Sequence, residues 1–110
     1  MAYHINMYTI IETATFEKYA ANTWSDSERE AFKGWIADNP LAGDVIPGTG
    51  GLRKVRWSVD GKGKRGGARV IYFNRLDSGV IVLIIVYTKA KFDNLPTAFL
   101  KQLIEDAENG

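Results

Sequence analysis

Apolar and polar residues alternate along this chain with two different periods, and the change of period marks where helices and strands are predicted. Met7 to Ile11 is rich in β-branched and aromatic residues, which is typical of a strand. From Thr13 to about Trp24, apolar residues recur at helical spacing. Ser25 followed by Glu28 matches the capping box that opens a helix, and the Asn39–Pro40 pair ends that helix because a residue before proline avoids the helical conformation. The N-terminal part therefore predicts a strand and a hairpin of two helices.

The second half of the chain predicts three strands and a final helix. Glycine and proline residues mark Leu41 to Gly51 as a loop. Leu52 to Val59 and Ala68 to Leu76 have the composition of strands, and Val80 to Lys89 is apolar enough for a strand buried on both faces. Asn94 is placed to cap the final helix. We therefore predict one α+β domain over residues 1–110, in the order β-α-α-β-β-β-α. Its N-terminal helical hairpin and C-terminal helix are expected to pack on one face of an antiparallel sheet.

The segment from Leu52 to Val59 presents two different surfaces, because successive side chains of a strand point to opposite faces. One face is predicted to pack on the core and carries Arg53, Val55, Trp57 and Val59. The other face carries Lys54, Arg56 and Ser58 beside Leu52. Two cations therefore share a face that points away from the predicted core.

Basic residues are concentrated in one part of the chain. From Gly48 to Lys91 there are ten basic and two acidic residues, a net charge of +8, while the remainder has four basic and eleven acidic residues, a net charge of −7. The cluster between Gly48 and Tyr72 consists of Arg53, Lys54, Arg56, Lys62, Lys64, Arg65 and Arg69. Because like charges repel, such a cluster usually serves an anionic partner.

The sequence gives little support to other kinds of site. There is no cysteine and a single histidine, His4, so thiol chemistry is excluded and neither a metal centre nor a histidine-based catalytic site is expected. The GTGG and GKGKRGG segments lack the Gly-Lys-Ser/Thr ending or the following helix that a phosphate-cradling loop requires. We therefore expect no metal and no cofactor.

A membrane location is not expected either. The first ten residues lack the basic region and apolar core of a secretory signal. The longest apolar run, Val80 to Tyr87, is far shorter than the roughly 20 residues that span a bilayer. A cytoplasmic protein is the expectation.

A cationic cluster on a sheet can act in two ways. It can bind and position phosphate groups, or, where it is desolvated, it can stabilise the charge of a phosphorane-like transition state. A lysine crowded by like charges can also act as a general base. On residue types alone, a surface that only positions phosphates is favoured over a catalytic one.

Three segments carry a resemblance to a known family: GDVIPGTGGLRKVRW, GKGKRGGARVIYF and VYTKAKFDNL. Together they resemble the RelE/ParE superfamily of bacterial toxins from toxin–antitoxin pairs, and most closely its HigB-like branch. The resemblance implies a compact RelE-like α+β fold and a ribosome-dependent endoribonuclease that cuts mRNA. The implied chemistry is attack by a ribose 2′-hydroxyl on the adjacent phosphate without a metal. The implied partners are the ribosome, mRNA and an antitoxin with a helix-turn-helix DNA-binding domain.

The resemblance also implies roles for individual residues. The catalytic positions of the family fall on Lys54, as general base or phosphate stabiliser, and on Arg56 and Arg69, as transition-state clamps. The RNA-binding positions are Arg53, Lys62, Lys64, Arg65, Tyr72, Tyr87, Lys89 and Lys91. Some members place a catalytic tyrosine where this chain has Asp93-Asn94-Leu95, so the proton donor is left open.

Two alternatives to the ribonuclease remain. The first is a ParE-like gyrase inhibitor, a class that the superfamily includes and that the retained cations at Lys54, Arg56 and Arg69 disfavour. The second is a non-catalytic module that binds ribosomal RNA.

Apolar residues of the final helix (Phe99, Leu100 and Leu103) are interpreted as core rather than as an antitoxin-docking stripe. Trp24 and Trp35 are interpreted as packing within the helical hairpin rather than as base-stacking platforms.

Overall fold

A computed structural model describes residues 8–57, 67–89, 91 and 94–109. Its elements in chain order are β1 (Thr9–Glu12), α1 (Ala14–Thr23), α2 (Asp26–Asp38), β2 (Asp44–Val45), β3 (Arg53–Trp57), β4 (Ala68–Arg75), β5 (Val80–Thr88) and α3 (Thr97–Asn109). The predicted order of elements is confirmed, with the short strand β2 as an addition inside the predicted loop. A 3-10 turn, Leu76–Ser78, joins β4 to β5.

Within the described residues, the five strands form one sheet in the order β1-β5-β4-β3-β2. The antiparallel meander of β3, β4 and β5 is confirmed, and β2 adds a further antiparallel pair. β1 pairs in parallel with the first half of β5, from Thr9 opposite Val80 to Glu12 opposite Leu83. A parallel neighbour requires a crossover connection, and α1 and α2 lie between β1 and the next strand.

Helices cover both faces of the sheet, so the prediction that all of them pack on one face was wrong. One core joins the two N-terminal helices to the sheet through residues such as Phe16, Phe32, Val70 and Leu83. A second core joins α3 to the other face through Ile71, Ile84, Leu100 and Leu103. The physical reason lies in β5, which is buried along most of its length and therefore needs an apolar layer on each side.

Local signals fix the two N-terminal helices as predicted. Ser25 and Glu28 form the reciprocal capping box at the start of α2. At the start of α1, the Thr13 hydroxyl accepts a hydrogen bond from the Phe16 amide and donates one to the Leu83 carbonyl at 2.9 Å, which ties the helix to β5. Trp24 contacts a group of aromatic rings from three elements, namely Phe16, Phe32 and Trp57. Trp35 also contacts Phe32, so both tryptophans pack within the fold.

The C-terminal helix differs from expectation in two details. Leu100 and Leu103 are buried as predicted, but Phe99 is 37% exposed. The Leu100 amide donates to the Pro96 carbonyl, and the helix begins at Thr97, so Asn94 lies outside the position of an N-terminal cap. No helix in the described part of the chain is long and apolar enough to cross a membrane.

Candidate nucleic-acid interface

Three of the predicted site residues form a row across neighbouring strands. Arg56 on β3 lies directly opposite Arg69 on β4, and Arg69 lies directly opposite Tyr87 on β5. Residues that are paired in this way project from the same face of a sheet. We call these three residues the arginine row. Lys54 precedes Arg56 by two residues and therefore shares its face.

A β-bulge places Tyr87 in this row. Strict alternation along β5 would put Tyr87 on the face opposite to Val82, but the register with β4 shifts at Ile71, and Ile84 and Ile85 pack in the same core. The shift turns the rest of the strand over, so that Tyr87 joins the α3 face beside Arg69. Bulges of this kind often re-aim side chains next to functional sites.

The cations of this face have no acidic partner within the described residues. Arg56 is exposed, and Arg69 and Lys54 are partly exposed. None of the three takes part in an ion pair with the acids that the structure describes. Asp44 lies opposite Lys54 in the β2–β3 register without forming such a pair. Like charges directly opposite each other destabilise a sheet, and an anionic ligand would relieve this repulsion.

Tyr87 adds a proton-bearing group at the end of the row. Its side chain is only 2% exposed. Burial raises the pKa of the Tyr87 phenol, and the positive charge of Arg69 opposes this rise without reversing it. The phenol is therefore protonated at neutral pH and retains its O–H donor.

Arg53 and Tyr72, which the resemblance assigns to RNA binding, lie away from the arginine row. Both point to the opposite face, where Tyr72 is fully buried. The Tyr72 hydroxyl donates to the Pro40 carbonyl at 2.9 Å and accepts from the Gly43 amide at 3.0 Å, while Arg53 Nη1 donates to the Gly43 carbonyl at 2.6 Å. Burial raises the pKa of Tyr72, although the Gly43 hydrogen bond and the Arg53 charge act in the other direction. These two side chains hold the loop before β2 through these hydrogen bonds.

Gly43 explains why that loop can approach so closely. A Cβ atom at this position would lie 2.8 Å from the carbonyl oxygen of Lys54 and 3.0 Å from the hydroxyl oxygen of Tyr72. The first distance is shorter than real Cβ contacts, and the second is tighter than most of them. The glycine therefore allows the loop and β2 to pack against β3 next to Lys54.

The remaining predicted residues lie either after β5 or outside the described part of the chain. Lys89 and Lys91 are exposed in the turn after β5, where the Lys91 amide donates to the Thr88 carbonyl at 3.0 Å. Lys91 and Tyr87 both line a groove of about 320 Å³ against α1. Three predicted RNA-binding residues lie outside the described part of the chain, namely Lys62, Lys64 and Arg65.

Sequence reasoning did not predict that α1 contributes to this groove. The α1 residues Lys18 and Asn22 line its other wall. Lys18 stands in an acidic part of the chain, and no local pattern distinguishes it from an ordinary surface lysine. Among residues 8–57, 67–89, 91 and 94–109, no group of three or more His, Asp or Glu side chains lies close enough to hold a metal ion.

Comparison with known proteins identifies the fold. The arrangement is an α+β domain in which a mixed sheet lies between a helical hairpin and a C-terminal helix. A solved structure with a similar fold is that of the E. coli toxin RelE, a double arginine-to-alanine mutant in the free state. It matches with a TM-score of 0.56 and 15% sequence identity, over 94% of this chain and 96% of that chain. The chain therefore has a RelE-like fold. No family model matches it.

Proposed function

We propose that this chain is the toxin of a toxin–antitoxin pair, in the HigB-like branch of the RelE/ParE superfamily, and that it cuts mRNA on the ribosome. The observation that carries the proposal is the pairing of Arg56 with Arg69 on a RelE-like fold, with no acidic partner among the described residues. An unneutralised arginine pair suits a transition state that carries negative charge on phosphate oxygens.

The proposed reaction uses the RNA itself as the nucleophile. Lys54, as general base, takes the proton of a ribose 2′-hydroxyl, and the oxygen forms a bond to the adjacent phosphorus. The bond from phosphorus to the 5′-oxygen of the next nucleotide breaks, that oxygen takes a proton from solvent water, and Lys54 returns the proton it accepted to the solvent. The products are a 2′,3′-cyclic phosphate and a free 5′-hydroxyl.

The two arginines stabilise the charge that develops during this reaction. A guanidinium group offers a planar fork of N–H donors, which matches two oxygens of one phosphate. With Arg56 and Arg69 opposed on neighbouring strands, their forks can reach the non-bridging oxygens from two sides. The proposed reaction needs no metal ion because the nucleophile and the charge-stabilising groups come from the RNA and the protein.

The proposed function also defines the partners. The toxin acts in the cytoplasm on the mRNA that occupies the decoding site of the ribosome. Its cognate antitoxin, with a helix-turn-helix DNA-binding domain, masks the toxin until it is released. Lys62, Lys64, Arg65 and Lys89 attract and position RNA through their charge, which is a long-range effect that needs no fixed geometry.

One experiment separates this proposal from its alternatives. The purified protein is incubated with programmed ribosomes, with free mRNA, and with gyrase and relaxed plasmid. We expect cleavage of mRNA on ribosomes only, with a cyclic phosphate at the new 3′ end. Loss of supercoiling without RNA cleavage would identify a ParE-like gyrase inhibitor, and ribosome binding without either activity would identify a binding module.

Variants at two lysines test the assignment of Lys54. Lys54→Ala should lose cleavage while its thermal unfolding stays that of the wild type. Lys101→Ala removes the same charge from the exposed surface of α3 and should cleave normally. Full activity in Lys54→Ala would remove Lys54 from the mechanism.

A further inference from the structure

A groove of about 320 Å³ lies between the last turns of α1 and the end of β5. The parallel pairing of β1 with β5 ends at Leu83, so in the described structure β1 leaves the second half of β5 uncovered along that edge. α1 runs there instead, and Thr13 anchors its start to the carbonyls of Leu83 and Ile84. The groove is therefore a product of the fold and begins next to Tyr87 in the arginine row.

The groove carries a positive charge that the fold does not neutralise. Arg29 and Lys33, the cations of α2, both form ion pairs with the Glu12 carboxylate. By contrast, Lys18 and Lys91 line the groove and form no ion pair with an acid in the part of the chain that the structure describes. Two exposed ammonium groups on one groove attract a group with a negative charge.

The other walls of the groove are aromatic and polar. Tyr19 and Tyr87 contribute rings, while Asn22 and Thr88 contribute an amide and a hydroxyl. Amides bond to base edges and ammonium groups bind phosphates, so this combination matches one nucleotide. Of the two rings, the partly exposed Tyr19 is the one that can contact a base, because Tyr87 is buried. The volume is at the lower end of the range of small-molecule sites, which suits a single nucleotide rather than a longer segment.

The end of α1 limits how an anion can bind here. The C-terminal end of a helix carries a partial negative charge, so the helix dipole does not assist. Its last turn is already occupied, because the Thr23 hydroxyl donates to the Tyr19 carbonyl at 2.8 Å and the Trp24 amide donates to the Ala20 carbonyl at 2.9 Å. The lysine side chains, rather than the backbone, must hold the phosphate.

We propose that this groove is a nucleotide-binding subsite, in which Lys18 and Lys91 hold a backbone phosphate and Asn22 bonds to the edge of an RNA base. The subsite receives a nucleotide next to the one that is cut, because Tyr87 borders both the groove and Arg69. This inference rests on the proposed function for its substrate, single-stranded RNA. It adds α1 to the RNA-binding surface.

The test compares Lys18→Ala with Lys101→Ala, two exposed lysines on helices. Binding of a labelled single-stranded RNA hexanucleotide is measured by fluorescence anisotropy over a range of salt concentrations. Each phosphate contact to single-stranded nucleic acid contributes about 0.7 to the slope of log K against log salt. We expect Lys18→Ala to weaken binding and to reduce this slope by about 0.7, while Lys101→Ala keeps the wild-type slope. Asn22→Ala should keep the slope and change the preference among hexanucleotides of different sequence.

Two further measurements identify the source of the nucleotide and separate the subsite from the catalytic proposal. If mRNA supplies the nucleotide, Lys18→Ala reduces cleavage on programmed ribosomes but still binds vacant ribosomes. If ribosomal RNA supplies the nucleotide, Lys18→Ala also binds vacant ribosomes more weakly. RNA binding that depends on Lys18, in a protein that cuts nothing, would overturn the catalytic proposal and leave the subsite in place. Equal slopes for Lys18→Ala and Lys101→Ala, or no RNA binding by the wild type, would overturn the subsite.

Discussion

Two groups of charged residues in this molecule contain similar cations, but among the described residues only one group has an acidic partner. In the first, the Glu12 carboxylate accepts a hydrogen bond from Arg29 at 2.6 Å and another from Lys33 at 3.4 Å, and its side chain is 16% exposed. In the second, Arg56 and Arg69 lie opposite each other on neighbouring strands, and neither forms an ion pair with an acid among the described residues. The first group closes the contact between β1 and α2, whereas the second leaves its charge available.

In the first group, the neighbouring cations determine the pKa of Glu12. Burial alone would raise the pKa of Glu12, but the hydrogen bond from Arg29 and the charges of Lys33 and Arg29 outweigh burial and lower that pKa. The ionised carboxylate is therefore stabilised by folding. The arginine row has no such compensation from the acids that the structure describes, and like charges across a strand pair reduce stability. Among the described residues, the two groups of cations thus differ in their partners, not in residue type.

The largest expected effect concerns the arginine row. Arg56→Ala and Arg69→Ala should each reduce kcat/KM for ribosome-dependent cleavage by on the order of 100-fold, because each removes a donor to the transition state. The free energy of unfolding should stay constant or rise by about 0.2 to 1 kcal/mol, since the repulsion between the two charges is lost. Single-turnover cleavage and urea unfolding measure the two quantities. Reduced stability in both variants would mean that the row has a structural role.

A smaller effect is expected from the neutralised group. Glu12→Gln removes the charge that Arg29 and Lys33 share, and hydrogen bonds to charged groups contribute about 1.5 to 3 kcal/mol each. We expect a loss of about 1 to 3 kcal/mol in the free energy of unfolding, with cleavage per folded molecule unchanged. Glu105→Gln is the matched control, because Glu105 is exposed on α3 and unpaired among the described residues. Loss of cleavage in folded Glu12→Gln would mean that the group around Glu12 also contributes to cleavage and not only to stability.

Much of the fold was predictable because its signals are local. The capping box at Ser25 and the apolar run of β5 depend on neighbouring residues, and both predictions are confirmed. The parallel pairing of β1 and the position of α3 on the second face depend on contacts between distant segments. Neither has a signature in the periodicity of the chain.

The candidate site was predictable only in part, for related reasons. Strand alternation correctly placed Lys54 and Arg56 together and Arg53 on the other face, but the family resemblance still assigned Arg53 and Tyr72 to the RNA-binding set. The position of Tyr87 depends on a bulge that alternation cannot anticipate. Lys18 became a candidate only when the structure revealed that Arg29 and Lys33 have acidic partners, whereas Lys18 has none in the part of the chain that the structure describes.

The smallest expected effect is a dependence of stability on pH that belongs to the neutralised group. The pKa of Glu12 is lower in the folded protein than its ordinary value of 4.5, so its contribution is complete above pH 4.5 and is lost as the pH falls through the folded-state pKa. The difference in unfolding free energy between wild type and Glu12→Gln should therefore be constant near neutral pH and shrink below pH 4.5. Urea unfolding at a series of pH values measures this difference, and Arg69→Ala serves as the comparison, because its difference from wild type should not follow the titration of Glu12. A Glu12→Gln difference that persists unchanged at low pH would mean that packing, rather than charge, holds Glu12 in place.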